Sequence, residues 1–427
     1  MLKDALYSNT YKHYVLGVLV VVYVFNFIDR QILAILAPAI KDELLLSDTQ
    51  IGALSGVAFG IFYATLGIPI ARLADRYSRV SIISICLSIW SLMTAFSGLA
   101  TNFVQLLIAR IGVGIGEAGG SPPSHSLLAD YFAPGKRATA LGIYALGVPI
   151  GILFGNLAGG WIGEIFGWRQ AFFLVGIPGV FLAVILKLTV KEPPRGYTEE
   201  KPTDTSTVPF RTVLKTMWGF TSFRYICLGA GTQAFVGYGA IAWMPSFLVR
   251  AHDLSIGEVG TALGLIIGIF GGIGTLLSGV IGDRLGAKDV KYYMLVPAYG
   301  FLIAVPAGAA VFLVDELYLV LAIYSIPAFM VNLYTGPTFA MTQSLAPLAM
   351  RAAASALLLF MINIIGLVFG PTTVGIISDL LQSSIQMNDV ESLQMALLAC
   401  NFVYLLSFYY YFQASRHLEA NLNSSKQ

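Results

Sequence analysis

Residues 71–79 read Ala-Arg-Leu-Ala-Asp-Arg-Tyr-Ser-Arg, and residues 279–288 read Gly-Val-Ile-Gly-Asp-Arg-Leu-Gly-Ala-Lys. Both stretches place an Asp-Arg pair four residues after a small residue, and both continue with small and basic side chains. Each follows an apolar run, and the two lie about half the chain apart. A motif repeated at the same place in each half indicates that the chain consists of two related halves.

The apolar runs around these stretches place the chain in a membrane. Of its 427 residues, 57% are hydrophobic and 11% are charged, and the mean hydropathy is +0.77. This leaves too little charge to cover the surface of a soluble domain of that length. The runs are about 20 residues long or longer, as a hydrocarbon core of roughly 30 Å requires. Backbone groups inside that core must satisfy their own hydrogen bonds, so we expect helices.

The runs predict twelve membrane-crossing helices, here called spans 1 to 12. They lie at roughly 14–40, 48–73, 80–100, 103–130, 138–162, 168–190, 222–250, 256–282, 292–314, 316–346, 350–381 and 391–414. The predicted fold class is an all-α membrane protein of two pseudo-symmetric six-helix bundles. The predicted domains are an N-terminal bundle at 1–190, a linker at 191–221, and a C-terminal bundle with a short tail at 222–427. The linker includes a candidate interfacial helix at Phe210–Phe220.

The basic residues predict which ends of the spans face the cytoplasm. With the N-terminus inside, the inner segments carry most lysines and arginines, and the outer segments carry Lys41, Arg169 and Arg250. This asymmetry follows the positive-inside rule, so we expect both termini to be cytoplasmic. The net charge of +2 and the scattered basic residues give no reason to expect nucleic acid. Three cysteines in apolar runs, without ligand spacing, predict neither a metal site nor a cofactor.

The repeated stretches supply a candidate gate. A carboxylate at a helix end can cap the N-terminus of a neighbouring helix, and the following arginines can pair with acidic groups across the gap between the halves. Breaking and remaking such contacts would latch one conformation. The alternative is that these charges only set the topology. The candidate gating residues are Arg72, Asp75, Arg76, Arg79, Asp283 and Arg284.

Glycines spaced by four residues predict close helix packing. Such rows occur in spans 2, 5 and 8, and each row lies on one helix face, where small residues let backbones approach and slide. They are Gly52, Gly56 and Gly60; Gly147, Gly151, Gly155 and Gly159; and Gly260, Gly264, Gly268 and Gly272. The rows favour helices that slide on one another, with static packing as the alternative.

Four charged residues fall well inside the predicted bilayer: Asp29, Arg30, Arg110 and Glu117. Unpaired, each would cost roughly 2.5–3.5 kcal/mol at a helix centre, so they should face a polar cavity and one another. All four are in the N-terminal half. The residues expected to line the cavity with neutral polar groups are Asn26, Gln233, Asn332 and Asn363.

These charges suggest proton coupling. Burial favours the neutral form of a carboxyl group and a nearby arginine favours the ionised form, and the balance can suit proton exchange. Our hypothesis is that Glu117 or Asp29 carries the proton, with Arg110 and Arg30 as counter-charges. The alternative is a permanent charge cluster that only holds spans 1 and 4 together.

The repeated stretch resembles the signature of the major facilitator superfamily, G-x-x-x-D-R-x-G-R/K-R/K, although Ala71 and Ser78 stand where glycines are usual. Three segments, Asn26–Arg30, Arg110–Ala118 and Lys191–Gly196, resemble Spinster transporters. The resemblance implies the major facilitator fold, in which spans 5 and 8, and spans 2 and 11 with Gly366 and Gly370, face each other across the halves as rocking seams. It implies proton-coupled, alternating-access transport of lysophospholipids or sphingosine phosphate-like lipids. It also implies a bacterial inner-membrane protein without enzymatic activity. A phosphate head group would then meet Arg30 or Arg110. We expect a monomer among membrane lipids.

Other activities stay open at this stage. The charged pairs of spans 1 and 4 also occur in organic anion:proton symporters of the same superfamily, where the arginines would hold a carboxylate. Gly147-x-Pro149-x-Gly151 is loosely similar to a motif of drug/proton antiporters, which favours export. An intramembrane lipid hydrolase, from a different class, would need a nucleophile and a base. Ser121, Ser124 and His125 are the nearest candidates, and they crowd one helix.

Overall fold

The computed structural model describes residues 7–198, 209–347 and 350–425, which are helical and contain no strand. Spans 1 to 6 are Asn9–Leu44; Asp48–Ser55 with Val57–Arg76; Arg79–Ser97; Phe103–Glu117 with Ser121–Tyr131; Pro134–Ala145 with Gly147–Phe166; and Trp168–Thr189. Spans 7 to 12 are Thr221–His252; Ile256–Leu265 with Gly272–Gly286; Tyr292–Leu313; Leu317–Met330 with Thr335–Leu345; Arg351–Ile362 with Phe369–Ile385; and Asp389–Asn401 with Tyr404–Ser425. A short helix, Phe210–Gly219, is here called the linker helix.

The twelve predicted spans and the two-bundle fold are confirmed. Eleven helical segments of the described residues are long and apolar enough to cross a membrane. Span 7 is the twelfth: its 32 residues reach about 48 Å at 1.5 Å per residue. Polar residues near its middle, Thr232 and Gln233, lower its hydropathy. The domain limits at 190 and 221 stay a prediction.

Several span limits differ from the predicted ones because local capping sets the ends. Span 1 was predicted at roughly 14–40 and occupies Asn9–Leu44. It begins where the Ser8 side chain accepts a hydrogen bond from the Tyr11 backbone N–H, and it ends at Leu45, whose φ of 52° is left-handed. Polar turns of this kind extend the helix beyond the apolar run from which the span was predicted.

Non-α turns interrupt several spans at mid-length. Span 4 breaks between Glu117 and Ser121, just before Pro122 and Pro123, where a kink was expected. Spans 8 and 11 each contain a π-helical turn, at Ile266–Gly271 and Asn363–Val368, and span 10 contains a 3₁₀ turn at Val331–Tyr334. In these turns the backbone hydrogen bonds depart from the regular α-helical pattern, and such turns are common at functional positions.

The buried apolar residues show where the halves join. One cluster combines residues of both halves, such as Leu36 and Ile40 of span 1 with Phe247 and Leu248 of span 7. These residues lie at the end of the bundle opposite the chain termini. At the terminal end, the apolar residues form one cluster mainly in each half, and the N-terminal one reaches the other half only at Leu367 and Tyr238. The extensive core shared by the two halves therefore lies at the end opposite the termini.

The glycines confirm this asymmetry. At the end opposite the termini, a Cβ on Gly52 would lie 2.6 Å from the Pro371 carbonyl oxygen, and one on Gly160 would lie 2.7 Å from that of Ile256. These contacts join span 2 to span 11 and span 5 to span 8. At the terminal end, a Cβ on Gly67, Gly142 or Gly279 would meet no atom within 4 Å. The structure is closed opposite the termini and open at the terminal end.

Spans 5 and 8 meet as expected, and so do spans 2 and 11, but the glycine row of span 5 and the glycines of span 11 do not form these seams. The glycine row of span 5 faces span 1 of its own half: a Cβ on Gly151 would lie 2.5 Å from Phe27 Cβ, and one on Gly159 would lie 2.8 Å from Ile35. The glycines of span 11, Gly366 and Gly370, face span 7. Spacing identifies a helix face but not the helix against which that face packs.

The rows of spans 2 and 8 do lie between the halves. Gly56 and Gly60 of span 2 approach span 11, and Gly260 of span 8 approaches the Asn156 carbonyl of span 5. Gly272, at the end of the span 8 row, faces open space. Glycines of spans 2 and 8 therefore line the two seams between the halves, and at the span 8 seam Gly160 of span 5 faces Gly257 and Gly260.

Candidate functional site

The four charged residues predicted within the bilayer come together between spans 1 and 4. Arg30 donates from Nε to Glu117 Oε2 over 2.7 Å, and the Glu117 side chain is fully buried. Asp29 and Arg110 are also buried, and Arg110 donates from Nη1 to the Asp29 backbone carbonyl at 3.5 Å. The ion pair thus joins span 1 to the last turn of Phe103–Glu117, the first helical segment of span 4.

Glycines of span 4 allow other spans to approach this pair. A Cβ on Gly114 would lie 2.5 Å from the Phe59 carbonyl oxygen, and one on Gly116 would lie 2.7 Å from the Trp90 backbone nitrogen. Spans 2 and 3 can therefore pack directly on the span 4 backbone. This packing brings the Phe59 ring next to both arginines.

Aromatic rings surround the guanidinium groups. Arg30 Cζ lies 5.0 Å from the centroid of Phe27, 5.1 Å from that of Phe59 and 4.5 Å from that of Tyr63. Arg110 Cζ lies 5.3 Å from the centroid of Phe59. Cation–π contacts of this length stabilise a charge that has lost its water. Sequence reasoning missed these rings, although Phe59 and Tyr63 are four residues apart and stack on one helix face.

The Asp29 carboxyl group has a different environment from Glu117. Both of its oxygens are buried and accept no hydrogen bond from the described residues. Thr94 of span 3 lies beside it, but its hydroxyl also has no partner at hydrogen-bonding distance. Arg110 Nε likewise donates to no described group. Two oppositely charged side chains of one cluster are therefore buried and incompletely satisfied, an unusual state for polar atoms.

The four polar residues expected to line the cavity differ in their burial and in their hydrogen bonds. Asn26 and Gln233 are buried, and the side-chain oxygen of each has no hydrogen-bond partner among the described residues. Asn332 donates from Nδ2 to the Ala328 carbonyl at 2.8 Å, within its own span. Asn363 begins the π-helical turn of span 11. From the C-terminal half, Tyr238 of span 7 is close enough to Arg30 to interact electrostatically.

The candidate gating residues do not reach across the gap. Arg79 is buried and donates from Nε to Glu192 Oε1 at 2.7 Å and from Nη1 to the Asp130 carboxylate. Asp130 belongs to the N-terminal half and Glu192 to the linker that follows it, so Arg79 makes no pair across the gate in this conformation. Asp283 accepts from the Tyr293 hydroxyl at 2.9 Å, within the C-terminal half. Arg72, Arg76 and Arg284 are exposed, and the Asp75 side chain lies outside the described part.

The polar contacts between the halves lie at the opposite end and were not predicted. Asp48, at the start of span 2, is fully buried and accepts from Arg250 Nη2 at 2.8 Å and from Ser378 Oγ at 2.7 Å. Lys41 lies between two carboxylates, 2.8 Å from Asp48 and 2.6 Å from Asp389. The charges of both halves therefore alternate across this seam.

Two acidic residues also cap helix N-termini across the seam, and we call them the outer caps. Asp379, near the end of span 11, accepts from the backbone N–H groups of Asp48 and Thr49 at 3.0 and 2.8 Å. Glu164, near the end of span 5, accepts from the Gly257 N–H at 2.7 Å. Each carboxylate satisfies N–H groups that the helix itself leaves free. The sequence does mark the starts of the two capped helices, because each begins with a capping box, at Ser47 and Ser255.

The residues considered for hydrolysis do not form a catalytic group. The Ser124 hydroxyl donates to the Gly120 carbonyl at 2.7 Å, and the His125 ring lies edge-on against Tyr144, with centroids 5.2 Å apart. No group of metal-binding side chains is found in the residues that the structure describes. The sequence expectation of a non-enzymatic protein is supported by the relatives below.

Known proteins resemble the chain over most of its length. The family model of the Major Facilitator Superfamily matches residues 19–371. An MFS-type efflux pump of Mycolicibacterium smegmatis is 34% identical over 85% of this chain and 83% of that protein. Protein spinster homolog 1 of Xenopus tropicalis is 30% identical over 92% of this chain and 79% of that protein. A hexuronate transporter of Bacillus subtilis is 32% identical over 63% of this chain and 64% of that protein.

The fold has a solved counterpart. The crystal structure of a bacterial homologue of the human lysosomal transporter Spinster, in an inward-facing and unoccupied conformation, superimposes with a TM-score of 0.90. It is 33% identical and covers 97% of this chain and 99% of its own. Together with the helical bundles and the buried charge cluster, these matches lead to one conclusion: the chain belongs to the major facilitator superfamily and is a Spinster-like, non-enzymatic, multi-pass membrane transporter.

Proposed function

We propose that this protein is a proton-coupled secondary active transporter that moves lysophospholipids or sphingosine phosphate-like lipids by alternating access. Both termini would lie in the cytoplasm of a bacterial inner membrane, so the open terminal end would be the inward-facing opening. The observation that carries the proposal is the buried cluster of Asp29, Arg30, Arg110 and Glu117, in which the Asp29 carboxyl group has no hydrogen-bond partner.

Proton coupling follows from the unequal environments of the two acids. Glu117 is held by Arg30, so its charge is compensated in this conformation. An ionised Asp29 would instead be a buried and unpaired charge, which is costly inside a membrane protein. Release of a proton from Asp29 therefore requires that water or a cation, such as Arg110, moves to its carboxylate. A conformational change that makes that movement would couple the proton to transport.

The proposed lipid substrate matches two separate environments. A phosphate head group needs cationic donors, and Arg30 and Arg110 lie in a setting with little competing water. An alkyl chain needs an apolar surface. The C-terminal half contains a small pocket lined mainly by apolar and aromatic side chains, among them Phe312, Tyr324 and Leu397; its volume of about 40 Å³ would have to widen to take an alkyl chain. The resemblance of the sequence to Spinster transporters implies the same substrate class.

The test is transport by the purified protein in liposomes under an imposed pH gradient. A labelled lysophospholipid is compared with a labelled dicarboxylate, with Asp29→Asn as the test variant. Asp315→Asn, an exposed acid without a described partner, is the matched control. We expect the gradient to change the rate of lipid movement in the wild type and the control, and not in Asp29→Asn. Lipid movement that ignores the gradient in the wild type would refute proton coupling.

An organic anion:proton symporter is the second candidate. It is favoured by the identity to the hexuronate transporter and by the buried Arg110 and the largely buried Arg30, which can also hold a carboxylate. In this case only the dicarboxylate would move, and Arg30 and Arg110 would form its binding site. The relative named as an efflux pump favours outward movement for either substrate.

A further inference from the structure

The linker helix, Phe210–Gly219, has one face docked on the C-terminal half. Val213 and Met217 are almost completely buried and belong to the same apolar cluster as Phe223 and Ile226 of span 7. The helix also contacts the first turns of span 11. Since Val213 and Met217 are four residues apart, they fix how the helix is rotated about its axis.

The opposite face is a stripe of alternating basic and apolar residues. Arg211, Leu214, Lys215 and Trp218 have the spacing of one helix face and are all exposed. Leu214 and Trp218 are each 39% exposed, although both are large and apolar. A stripe with both kinds of side chain suits neither water alone nor hydrocarbon alone. It suits the boundary between them, where long basic side chains reach the head groups.

The charge around the stripe has one sign. Arg224 at the start of span 7 and Arg351 at the start of span 11 are exposed at the same end. No acidic residue occurs from Pro209 to His252. Among the described residues, none of these arginines, nor Lys215, forms an ion pair. A surface with several cations and no counter-charge has phosphate head groups as its natural partners.

We propose that this face of the linker helix docks on anionic phospholipids of the membrane leaflet at the terminal end. Arg211 and Lys215 contact the phosphates, and Leu214 and Trp218 lie below them among the upper acyl carbons. The helix connects the chain between the halves to spans 7 and 11, so its docking also holds the C-terminal half against that leaflet. The proposal does not depend on which substrate is transported or on proton coupling.

The first experiment measures the binding of phosphatidylglycerol to the full-length protein in detergent by native mass spectrometry. Wild type is compared with Arg211→Gln/Lys215→Gln and with a control, Lys136→Gln/Lys288→Gln, which removes two exposed basic residues elsewhere at the same end. We expect affinity to fall by roughly tenfold or more in the first variant, as for the loss of two surface cations, and to change little in the control. Equal affinity of the two double variants would overturn the proposal.

The second experiment keeps Arg211 and Lys215, so its result can be interpreted even if the double variant does not fold. Wild type and Trp218→Phe are placed in nanodiscs whose lipids carry bromine near the head groups, and the Trp218 fluorescence is obtained by difference. We expect strong quenching that weakens in neutral lipid or high salt. An unquenched Trp218 would contradict docking. If the phosphatidylglycerol instead bound at the central cluster, Arg30→Gln would weaken its binding. A loss of binding in Arg30→Gln but not in Arg211→Gln/Lys215→Gln would therefore also reject the surface site.

Discussion

At the scale of single residues, the two buried acids of the central cluster differ in what they contact. Glu117 is bonded to Arg30 at 2.7 Å, whereas neither oxygen of Asp29 accepts a hydrogen bond from the described residues. Neutralising Glu117 leaves its partner Arg30 without a counter-charge, whereas neutralising Asp29 leaves no bonded partner behind. The two changes should therefore affect stability differently. Stability measurements can therefore separate the two roles.

We predict that Glu117→Gln destabilises the protein and that Asp29→Asn does not. Glu117→Gln leaves the largely buried Arg30 without its counter-charge, which costs up to about 3–5 kcal/mol when a buried pair is broken. Asp29→Asn removes no described bond. Thermal unfolding of the two variants in the same detergent checks this. Equal melting temperatures would show that the Arg30–Glu117 pair contributes little to the fold.

Arg79 forms ion pairs with Asp130 and Glu192 in this conformation, and we propose that these pairs stabilise the fold. We predict that Arg79→Gln lowers the free energy of unfolding by about 3–5 kcal/mol, because it leaves Asp130 and Glu192 without their shared cation. Arg76→Gln, at an exposed neighbour, should be close to neutral. Thermal unfolding of both variants tests this prediction. If Arg79→Gln is as stable as the wild type but its transport is altered, Arg79 would act in gating instead.

At the scale of the helices, the glycines separate seams that are closed from those that are open. We predict that Gly260→Ala destabilises this conformation by about 1–3 kcal/mol, because its Cβ would overlap the Asn156 carbonyl oxygen. Gly142→Ala meets open space and serves as the matched control. The rate at which single cysteines at each end react with a thiol reagent reports the conformation. Unchanged labelling in Gly260→Ala would contradict the prediction, because it would mean that the two spans accommodate the added methyl group without a change of conformation.

At the scale of the whole molecule, the outer caps and the ion pairs of Asp48 hold the halves together at the end opposite the termini. The caps relate span 2 to span 11 and span 5 to span 8 in the same way, so they follow the pseudo-symmetry of the bundles. The terminal end has no equivalent set of contacts between the halves among the described residues. Alternating access would require these contacts to break while others form.

We predict that Asp379→Ala/Glu164→Ala shifts the molecule toward opening at the end opposite the termini. Each lost cap is worth about 0.5–2 kcal/mol, so together they should change the ratio of the two conformations by roughly tenfold or more. Distances between spin labels on the two halves, measured at both ends, check the shift. Glu391→Ala, an exposed acid that caps no helix of the other half, is the control. Unaltered distances would mean that the caps only satisfy local N–H groups.

The sequence alone determined the membrane-crossing character, the twelve helices and the two halves. It did so because the thickness of a hydrocarbon core and the need for internal backbone hydrogen bonds act on each segment separately. It also identified Asp29, Arg30, Arg110 and Glu117, since a charge at membrane depth is costly wherever its partner lies. These inferences need only the position of a residue within its span.

Only the tertiary structure decided which surfaces meet. The glycine row of span 5 faces span 1, Arg79 pairs with Asp130 of its own half and with Glu192 of the linker, and Asp379 and Glu164 cap helices of the opposite half. The aromatic rings around Arg30 were likewise not anticipated. Spacing along a helix fixes which residues share a face, but the rotation of each helix and the tilt of the halves depend on the packing of all twelve. The partners of a residue are therefore set by the whole molecule.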